Sequence, residues 1–352
     1  MNRHEIALNI LKEGTVIPAT PLALDNNRQF NEKGQRLLMR YFLNAGVGAI
    51  ATAVHTTQFE IRQPEYNLYE PILTLVSEEI DKFEQQTGKV IAKVAGVCGP
   101  IEQAVKEAEI AKRLGFDAVL LSPGGLNDRT EEYMVERTQA VAAIMPVIGF
   151  YLQTAVGGRV FTYHYWEQVC ATPNVIAIKC ASFNRYTTFD VVRAVAMSDR
   201  CDEITLYTGN DDNIVIDLLT KFKFNKDGKT VVKSFEGGLL GHWCTWTQKA
   251  VEIFEKTKEA KKHDCVPEEL LTLAAEVTDC NSAFFDTANN FAGCIAGVHE
   301  VLYRQGLMEN IYCLNPNETL SKGQKEEIDR VYAAYPHLND DAFVAAHIDE
   351  WK

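Results

Sequence analysis

Short apolar runs alternate with longer amphipathic segments along most of the chain. Between residues 15 and about 260, runs rich in valine, isoleucine and alanine recur, and several are apolar at every position. Strands that are buried on both faces have this composition. The segments between them carry apolar residues at helical spacing. The pattern therefore predicts repeated strand–helix units around a parallel sheet.

Eight strands and eight helices are predicted in strict alternation. The predicted strands are 15–20, 49–53, 90–96, 117–121, 146–151, 175–179, 203–207 and 231–236. The predicted helices are 31–44, 66–86, 100–114, 130–143, 162–171, 185–196, 211–222 and 240–260. Eight units over about 245 residues fit a (β/α)8 TIM barrel, an α/β fold. The sequence contains neither GxGxxG nor GxxxxGK[ST], motifs typical of doubly wound nucleotide-binding sheets.

The strand pattern stops at about residue 260. The tail predicts only helices, at 267–277, 283–309, 321–334 and 340–351. We therefore expect residues 1–260 to form the barrel with an N-terminal helix. Residues 261–352 are expected to form a C-terminal helical extension packed on it.

Composition and charge narrow the class of protein. The 352 residues are 46% hydrophobic and 24% charged, which is typical of a folded globular chain. A formal net charge of -13 disfavours nucleic acid and anionic membrane surfaces as partners. No apolar run reaches the roughly 18 residues of a membrane span, and the first residues lack a signal-peptide pattern, so we expect a cytoplasmic protein. The nine scattered cysteines form no CxxC, so neither a zinc site nor a disulfide framework is expected.

A lysine ends the sixth predicted strand, where catalytic groups of such barrels lie. Lys179 follows four apolar residues. Burial lowers the pKa of a lysine amine, which makes it a nucleophile able to form a Schiff base with a 2-oxo acid or a sugar carbonyl. The alternative is that Lys179 points outward and pairs with a carboxylate. Lys93 and Lys233 are also strand lysines, but they lie inside their predicted strands, and we expect structural roles for them.

Two further strand ends carry candidate groups. Tyr151 ends the fifth predicted strand, so its phenol and the Lys179 amine are expected to converge on one cavity, where the phenol would move protons. The alternative is an aromatic ring packed on a loop. After the second predicted strand, the hydroxyls and backbone amides of His55-Thr56-Thr57 are suited to holding a carboxylate or relaying a proton, or simply to forming a turn.

Six strand-end motifs occur in a fixed order. They are Pro18-Ala19-Thr20-Pro21, Thr56-Thr57, the segment GFDAVLLSP ending at Pro123, Phe150-Tyr151, Ile178-Lys179 with Ala181-Ser182, and Gly209-Asn210-Asp211-Asp212. In this order and spacing they resemble the dihydrodipicolinate synthase and N-acetylneuraminate lyase superfamily, from about residue 12 to residue 260.

The resemblance implies a (β/α)8 class I lyase, that is, an aldolase or dehydratase that works through a lysine imine. Lys179 would form the Schiff base with pyruvate or a related 2-oxo acid, and Tyr151 would be the proton shuttle. Thr56 and Thr57 would hold the carboxylate of the 2-oxo acid and position the tyrosine. No metal or dissociable cofactor is implied, and the relatives are usually homo-oligomers, so a dimer or tetramer is expected.

The chain departs from the family pattern at three places. His55 and Gln58 replace the two glycines of the Gly-Thr-Thr-Gly-Glu loop, and Phe59 replaces its acid. Gly124-Gly125 stands where the lysine-biosynthesis synthases carry a tyrosine pair. Their substrate-binding arginine would fall near Val156. These departures argue against dihydrodipicolinate synthesis and favour another aldolase, lyase or dehydratase of the superfamily.

A sugar-acid substrate would need polar groups around the barrel mouth. Arg159 is close enough along the chain to substitute for the missing arginine. The other predicted lining residues are Gln153, Asn210, Asp211 and the Glu236-Gly237-Gly238 turn. Arg159, Asn210 and Gly237 are therefore predicted to bind the substrate, together with Thr57.

Two other readings remain open from the residues alone. His55, Glu236 and His242 follow the second and eighth predicted strands and would suit a divalent metal, so a metal-dependent barrel enzyme is one alternative. The altered loop at His55 also allows a barrel that binds a ligand without turnover. The presence of both Lys179 and Tyr151 argues against the latter.

Overall fold

The computed structural model describes residues 1–263 and 265–352. Eight parallel strands form one sheet: β1 (Val16–Pro18), β2 (Ala49–Thr52), β3 (Ala92–Val97), β4 (Ala118–Leu121), β5 (Val147–Leu152), β6 (Val175–Ala181), β7 (Thr205–Thr208) and β10 (Phe235–Leu240). The strands β8 (Phe222–Lys226) and β9 (Lys229–Lys233) form a separate hairpin. The order in the large sheet is β1-β10-β7-β6-β5-β4-β3-β2, and a parallel bridge between Ala19 and Ala51 joins its two edges. The predicted (β/α)8 TIM barrel is confirmed.

Helices surround the barrel and continue beyond it. Those within the barrel region are α1 (Arg3–Glu13), α2 (Glu32–Asn44), α3 (Tyr69–Thr87), α4 (Ile101–Arg113), α5 (Glu131–Ala142), α6 (Tyr163–Ala171), α7 (Arg185–Met197), α8 (Ile214–Leu219) and α9 (Thr247–Ala260). The C-terminal extension contains α10 (Glu268–Phe284), α11 (Cys294–Arg304), α12 (Gln324–Ala334) and α13 (Asp341–Trp351). None of the helices in the described residues combines the length and apolarity needed to cross a membrane.

Alternate residues of each strand face the barrel interior and the surrounding helices. In β5, Ile148 and Phe150 pack in the interior cluster, whereas Tyr151 packs in the outer cluster against the helices. Helix α1 closes the amino end of the barrel, because Leu11 packs in the interior cluster and its carbonyl accepts a 2.7 Å hydrogen bond from the Tyr207 hydroxyl. The carboxyl ends of the strands are therefore the end at which a small molecule can enter.

The predicted eighth strand, 231–236, is wrong in its position. The chain first forms an antiparallel hairpin, β8 (Phe222–Lys226) and β9 (Lys229–Lys233), and the barrel strand is β10 at Phe235–Leu240. The hairpin turn uses Asp227 and Gly228, both at positive φ, as two-residue hairpin loops require. The hairpin also shortens the predicted helix 211–222, and the predicted helix 240–260 begins only at Thr247.

The predicted helix 283–309 is also wrong, because a loop interrupts it. Helix α10 ends at Phe284 and α11 begins at Cys294, and Asp286, Asn290 and Phe291 between them have positive φ. The buried Asp286 carboxylate holds this loop by accepting hydrogen bonds from the backbone amide of Gly293 at 2.9 Å and from Asn289 at 2.7 Å. The loop lies over the barrel mouth as a result.

The two rival strand lysines have structural partners. The Lys93 ammonium donates to Asp81 at 2.5 Å and to Ser77 at 2.8 Å, on helix α3 outside the barrel. Lys233 lies in the hairpin and donates to the carbonyl of Cys201 at 2.5 Å. Their expected structural roles agree with these contacts.

Candidate active site

A pocket of about 600 Å³, including the part open to solvent, lies at the carboxyl end of the barrel. Five polar side chains line it: His55, Thr56, Gln153, Lys179 and Asp211. The polar groups come from the ends of β2, β5, β6 and β7, where barrel enzymes place their chemistry.

Lys179 projects from β6 into the barrel interior and is only 8% exposed. Its ammonium nitrogen lies 4.2 Å from the centroid of the Phe150 ring on the paired residue of β5. Burial lowers the pKa of the Lys179 amine, and the nearby negative charge of Asp211 opposes this shift. The neutral amine, which is the nucleophilic form, is therefore more accessible at neutral pH than in an exposed lysine.

A glycine makes room for the lysine side chain. A Cβ atom added at Gly209, at the end of β7, would lie 2.6 Å from the Cε atom of Lys179 and 2.8 Å from the Cβ atom of Ala181. Any side chain at position 209 must therefore displace the lysine from its present path. Gly209 is a packing requirement of the lysine site.

Gly209→Ala is expected to slow the reaction of Lys179 with a 2-oxo acid by at least about tenfold, because the amine must move out of its pocket position. Gly124→Ala is the matched control, since a Cβ there approaches nothing closer than 3.4 Å. The measurement is the rate of borohydride trapping of pyruvate at equal protein concentration. Equal rates for both variants would show that the close approach at Gly209 does not position the lysine.

Asp211 follows β7 and lines the same pocket. Its carboxylate accepts a 3.3 Å hydrogen bond from the backbone amide of His242, and its backbone carbonyl accepts a 2.6 Å hydrogen bond from Asn281 of α10. Burial raises the pKa of Asp211, and the positive charge of Lys179 partly offsets this shift. An amine with a lowered pKa and a carboxyl with a raised pKa in one pocket are suited to proton exchange at neutral pH.

The His55–Thr57 segment forms a 3-10 turn after β2. Thr56 lines the pocket, and its hydroxyl donates to the carbonyl of Ala19 at 2.5 Å. Within residues 1–263 and 265–352, no acceptor takes a hydrogen bond from the backbone amides of His55 and Thr56. Burial, with a contribution from Lys179, lowers the pKa of His55 to about 4, so its imidazole is neutral at pH 7.

The two residues that replace the glycines of this loop, His55 and Gln58, differ in backbone conformation. Gln58 has a positive φ of 69°, which glycine adopts without strain. Its side-chain oxygen accepts a 2.6 Å hydrogen bond from the amide of Leu314 in the extension, which anchors the loop. His55 instead lies in the 3-10 turn, where glycine is not required. The hydrogen bond to Leu314 thus holds Gln58 in a conformation that glycine adopts more easily.

The expectation that Tyr151 and Lys179 converge on one cavity is not met. Lys179 pairs in register with Phe150, so Phe150 faces the interior and Tyr151 faces the helices. The Tyr151 ring stacks on Trp166 of α6, with ring centroids 5.5 Å apart, and its hydroxyl neighbours Thr187 of α7. The prediction failed by one residue, because adjacent residues of a strand face opposite sides.

The four predicted substrate-binding residues do not line the pocket. The Thr57 hydroxyl donates to the carbonyl of Thr20 at 2.7 Å and is fully buried. The Arg159 guanidinium donates to the carbonyl of Arg129 and lies 5.1 Å from the centroid of the Phe161 ring.

Gly237 is a strand residue rather than a turn residue. It lies inside β10, where a Cβ atom would come within 2.5 Å of the backbone oxygen of Thr15. Close backbone packing explains this glycine without a substrate.

The fourth of these residues, Asn210, is fully buried beside the pocket. Its side chain accepts from the amide of Phe183 at 3.0 Å and donates to Asp217 at 2.9 Å and to Thr188 at 3.3 Å. These contacts use both ends of the amide. Asn210 therefore positions the loop after β7.

Asn210→Ala is expected to lower the free energy of unfolding by about 1 to 3 kcal/mol, because it leaves buried partners without hydrogen bonds. Chemical denaturation of the variant and of wild type measures this difference. A stability equal to wild type, combined with a raised KM for a 2-oxo acid substrate, would instead restore the substrate-binding role predicted for Asn210.

The three residues of the proposed metal site do not come together. Glu236 pairs with Lys261 at 2.9 Å and lies beside Gly14 at the amino end of the barrel. His242 is buried and stacks on Phe284, with ring centroids 6.2 Å apart, whereas His55 lines the pocket. Among the residues described, no group of three His, Cys, Asp or Glu side chains is arranged to hold a metal ion. His55, Glu236 and His242 therefore do not form the ligand set that the metal-dependent alternative requires.

The C-terminal extension supplies part of the pocket wall. Phe285 and Phe291 from the interhelical loop and Cys294 from α11 line the pocket together with residues of the barrel. Reading strand ends could not find them, because they lie far along the chain in a helical region. The spacing of apolar residues also gave no sign of the loop that interrupts the predicted helix 283–309.

Solved structures with the same fold support the architecture. The chain aligns with a dihydrodipicolinate synthase from Oceanobacillus iheyensis at a TM-score of 0.74, with 16% identity, over 96% of this chain and 100% of that one. An N-acetylneuraminate lyase from Fusobacterium nucleatum gives a TM-score of 0.70, with 14% identity, over 92% and 99%. At these identities the likeness establishes the fold alone.

Curated relatives match the chain over shorter segments. A probable 5-dehydro-4-deoxyglucarate dehydratase of Acinetobacter baumannii (strain AB307-0294) is 25% identical over 177 residues, 49% of this chain and 54% of the relative. A 4-hydroxy-tetrahydrodipicolinate synthase of Clostridium novyi (strain NT) is 31% identical over 143 residues, 39% of this chain and 46% of the relative. The chain thus spans about half the length of the curated relatives it matches.

A family sequence model covers more than half of the chain. The model of the dihydrodipicolinate synthetase family matches residues 12–225, which include β1 to β7 and the site residues from Thr56 to Asp211. Together with the barrel and the buried lysine on β6, this match establishes the family. The chain belongs to the dihydrodipicolinate synthetase family.

Proposed function

We propose that the protein is a class I lyase that acts on a 2-oxo acid through an imine at Lys179. The observation that carries the proposal is the buried Lys179 amine, which shares one pocket with Asp211 in a barrel of this family. A protonated imine withdraws electrons from the neighbouring carbon, so it assists both carbon–carbon cleavage and loss of water. The fold neighbours include a family member from E. coli K12 in complex with pyruvate.

The carboxylate of the 2-oxo acid would bind at the turn after β2. The backbone amides of His55 and Thr56 are the donors available there, since the Thr56 hydroxyl already donates to Ala19. The neutral His55 imidazole can also donate one hydrogen bond. Backbone amides suit this role because they are fixed in place before the substrate arrives.

Proton transfer is assigned to Asp211 in this proposal, and Tyr151 has no part in it. The Lys179 amine adds to the carbonyl carbon of the substrate, and the carbonyl oxygen leaves as water when the imine forms. Asp211 can donate a proton to that oxygen because burial raises the pKa of the carboxyl. The resulting carboxylate then faces a positively charged imine, which it stabilises electrostatically.

We propose a reaction other than 4-hydroxy-tetrahydrodipicolinate synthesis. Val156 lines the pocket at the position where an arginine would bind the second carboxylate, and Arg159 is bound to backbone carbonyls elsewhere. A dicarboxylic substrate would therefore meet an apolar side chain instead of a cation. A homo-oligomer, dimer or tetramer, stays a prediction that light scattering on the purified protein would test.

The proposal is tested by borohydride reduction in the presence of pyruvate, followed by intact-mass and peptide mass spectrometry. We expect one adduct of pyruvate size on the peptide that contains Lys179. Trapping with 2-oxobutanoate and 2-oxoglutarate defines which 2-oxo acids enter. Absence of any adduct with all three acids would overturn the imine mechanism and leave a non-catalytic ligand-binding barrel as the better explanation.

A further inference from the structure

The wall of the pocket beyond the reacting groups is apolar. Leu152 ends β5 and Val156 lies in the turn after it, Phe183 follows β6, and Phe285 and Phe291 come from the C-terminal extension. Of the five polar lining side chains, four surround the amine and the turn after β2, which leaves only Gln153 to contact the rest of a substrate. The outer part of the pocket offers hydrophobic surface and almost no hydrogen-bonding groups.

Two of these rings are held in place despite an unfavourable backbone. Phe183 and Phe291 have φ of 51° and 66°, a region that bulky residues rarely occupy. Their rings meet edge to face, with centroids 5.8 Å apart, and so connect the loop after β6 to the extension. Backbone strain of this kind persists where the surrounding structure fixes a residue for a purpose. Here it directs two aromatic rings into the pocket wall.

A polyhydroxylated sugar chain fits this wall poorly. Each hydroxyl placed against the phenylalanine rings would lose its hydrogen bonds to water without gaining a protein partner. An aromatic group loses no such bonds and gains contact with the rings. The expected sugar-acid substrate therefore disagrees with the side chains that the fold brings to the mouth.

We infer that the second substrate of this site is an aromatic aldehyde, which the enzyme joins to pyruvate or releases from the corresponding 4-aryl-4-hydroxy-2-oxo acid. The inference rests on the proposed imine chemistry at Lys179. It adds the identity of the group that occupies the wall formed by Phe183, Phe285 and Phe291.

The cleavage step balances without a further reactant. Lys179 forms the imine at C2 of the 4-aryl-4-hydroxy-2-oxo acid with loss of water. The C3–C4 bond then breaks, its electron pair moves into the protonated imine to give an enamine, and the C4 hydroxyl proton passes to the Asp211 carboxylate. The aldehyde leaves, C3 takes up a proton, and water hydrolyses the imine to pyruvate and free lysine. Nothing is oxidised or reduced overall.

The test compares benzaldehyde with D-glyceraldehyde as acceptors for pyruvate, with chromatography and mass spectrometry of the aldol products. We expect kcat/KM for benzaldehyde to exceed that for glyceraldehyde by at least about tenfold. Phe291→Gln should reduce this ratio by a similar factor. Phe189→Gln is the matched control, because Phe189 lies on α7, away from the pocket, and is 49% exposed.

Pyruvate trapping at Lys179 is measured on the same preparations. Trapping with no benzaldehyde product, or with glyceraldehyde preferred, would overturn the aromatic substrate and leave the proposed function standing. Absence of trapping by any 2-oxo acid would overturn both. An unchanged aldehyde ratio in Phe291→Gln, in a variant with a wild-type melting temperature, would show that the phenylalanine wall does not select the substrate.

Discussion

Replacing Lys179 by arginine is expected to abolish the borohydride-trapped pyruvate adduct and to lower turnover by at least about a thousandfold. Arginine retains a positive charge and a long side chain but cannot form an imine, because its guanidinium stays protonated. The nucleophile is thus removed with limited change to the charge balance around Asp211. Intact-mass analysis after reduction and a coupled assay for pyruvate release give the two readouts.

Lys233→Arg is the matched control, because it makes the same substitution at one of the two rival strand lysines. Lys233 lies in the β8–β9 hairpin and contacts the carbonyl of Cys201. We expect this variant to form the adduct at the wild-type rate. A trapped adduct in Lys179→Arg, at Lys93 or at any other lysine, would contradict the assignment of the nucleophile.

The sequence predicted the barrel, and it located Lys179 on a buried strand, because both features depend on local patterns. Repeated apolar runs separated by amphipathic segments specify strand–helix units, and an ammonium group at the end of an apolar strand is conspicuous. Thr56 could be found in the same way, since it follows β2 directly. Each of these features is encoded within a few consecutive residues.

The sequence could not predict which side chains of β5 point into the barrel. All six of its residues, from Val147 to Leu152, are buried, so the strand shows no alternation between apolar and polar positions. Because every position is apolar, the sequence does not show which alternate residues face the interior, so either Phe150 or Tyr151 could do so. The pairing of Phe150 with Lys179 determines that Phe150 faces the interior, and this pairing exists only in the assembled sheet.

Contacts between distant parts of the chain were equally beyond reach. Asn281 holds the backbone of Asp211, and the Leu314 amide holds Gln58, in both cases across the boundary between barrel and extension. Two glycines in β10 weaken the apolar pattern of that strand, whereas the hairpin before it has a strong one. The eighth strand was therefore predicted too early in the chain. Contacts between distant segments arise from tertiary packing, so the spacing of apolar residues cannot predict them.

Asp211→Asn is expected to lower turnover by about 10² to 10⁴-fold, the usual range for loss of a general acid–base group. Asparagine keeps the size of the side chain and can still accept the hydrogen bond from the His242 amide, but it cannot exchange a proton. The imine should still form, because Lys179 is intact. Its pH dependence should change, however: the Asp211 charge raises the pKa of Lys179, so its removal lowers that pKa further. The pH midpoint of pyruvate trapping is therefore expected to shift to a lower value.

The Tyr151→Phe variant distinguishes Asp211 from Tyr151 as the group that transfers the proton. The Tyr151 phenol packs outside the barrel on Trp166, so its loss should leave turnover within about threefold of wild type and the trapping midpoint unchanged. Turnover that falls in Tyr151→Phe but not in Asp211→Asn would return the proton shuttle to the tyrosine and require β5 to present its opposite face. A fall in Asp211→Asn together with the lower trapping midpoint identifies a carboxyl–amine pair as the proton-transfer unit, because a merely structural loss at position 211 would not move the midpoint in that direction.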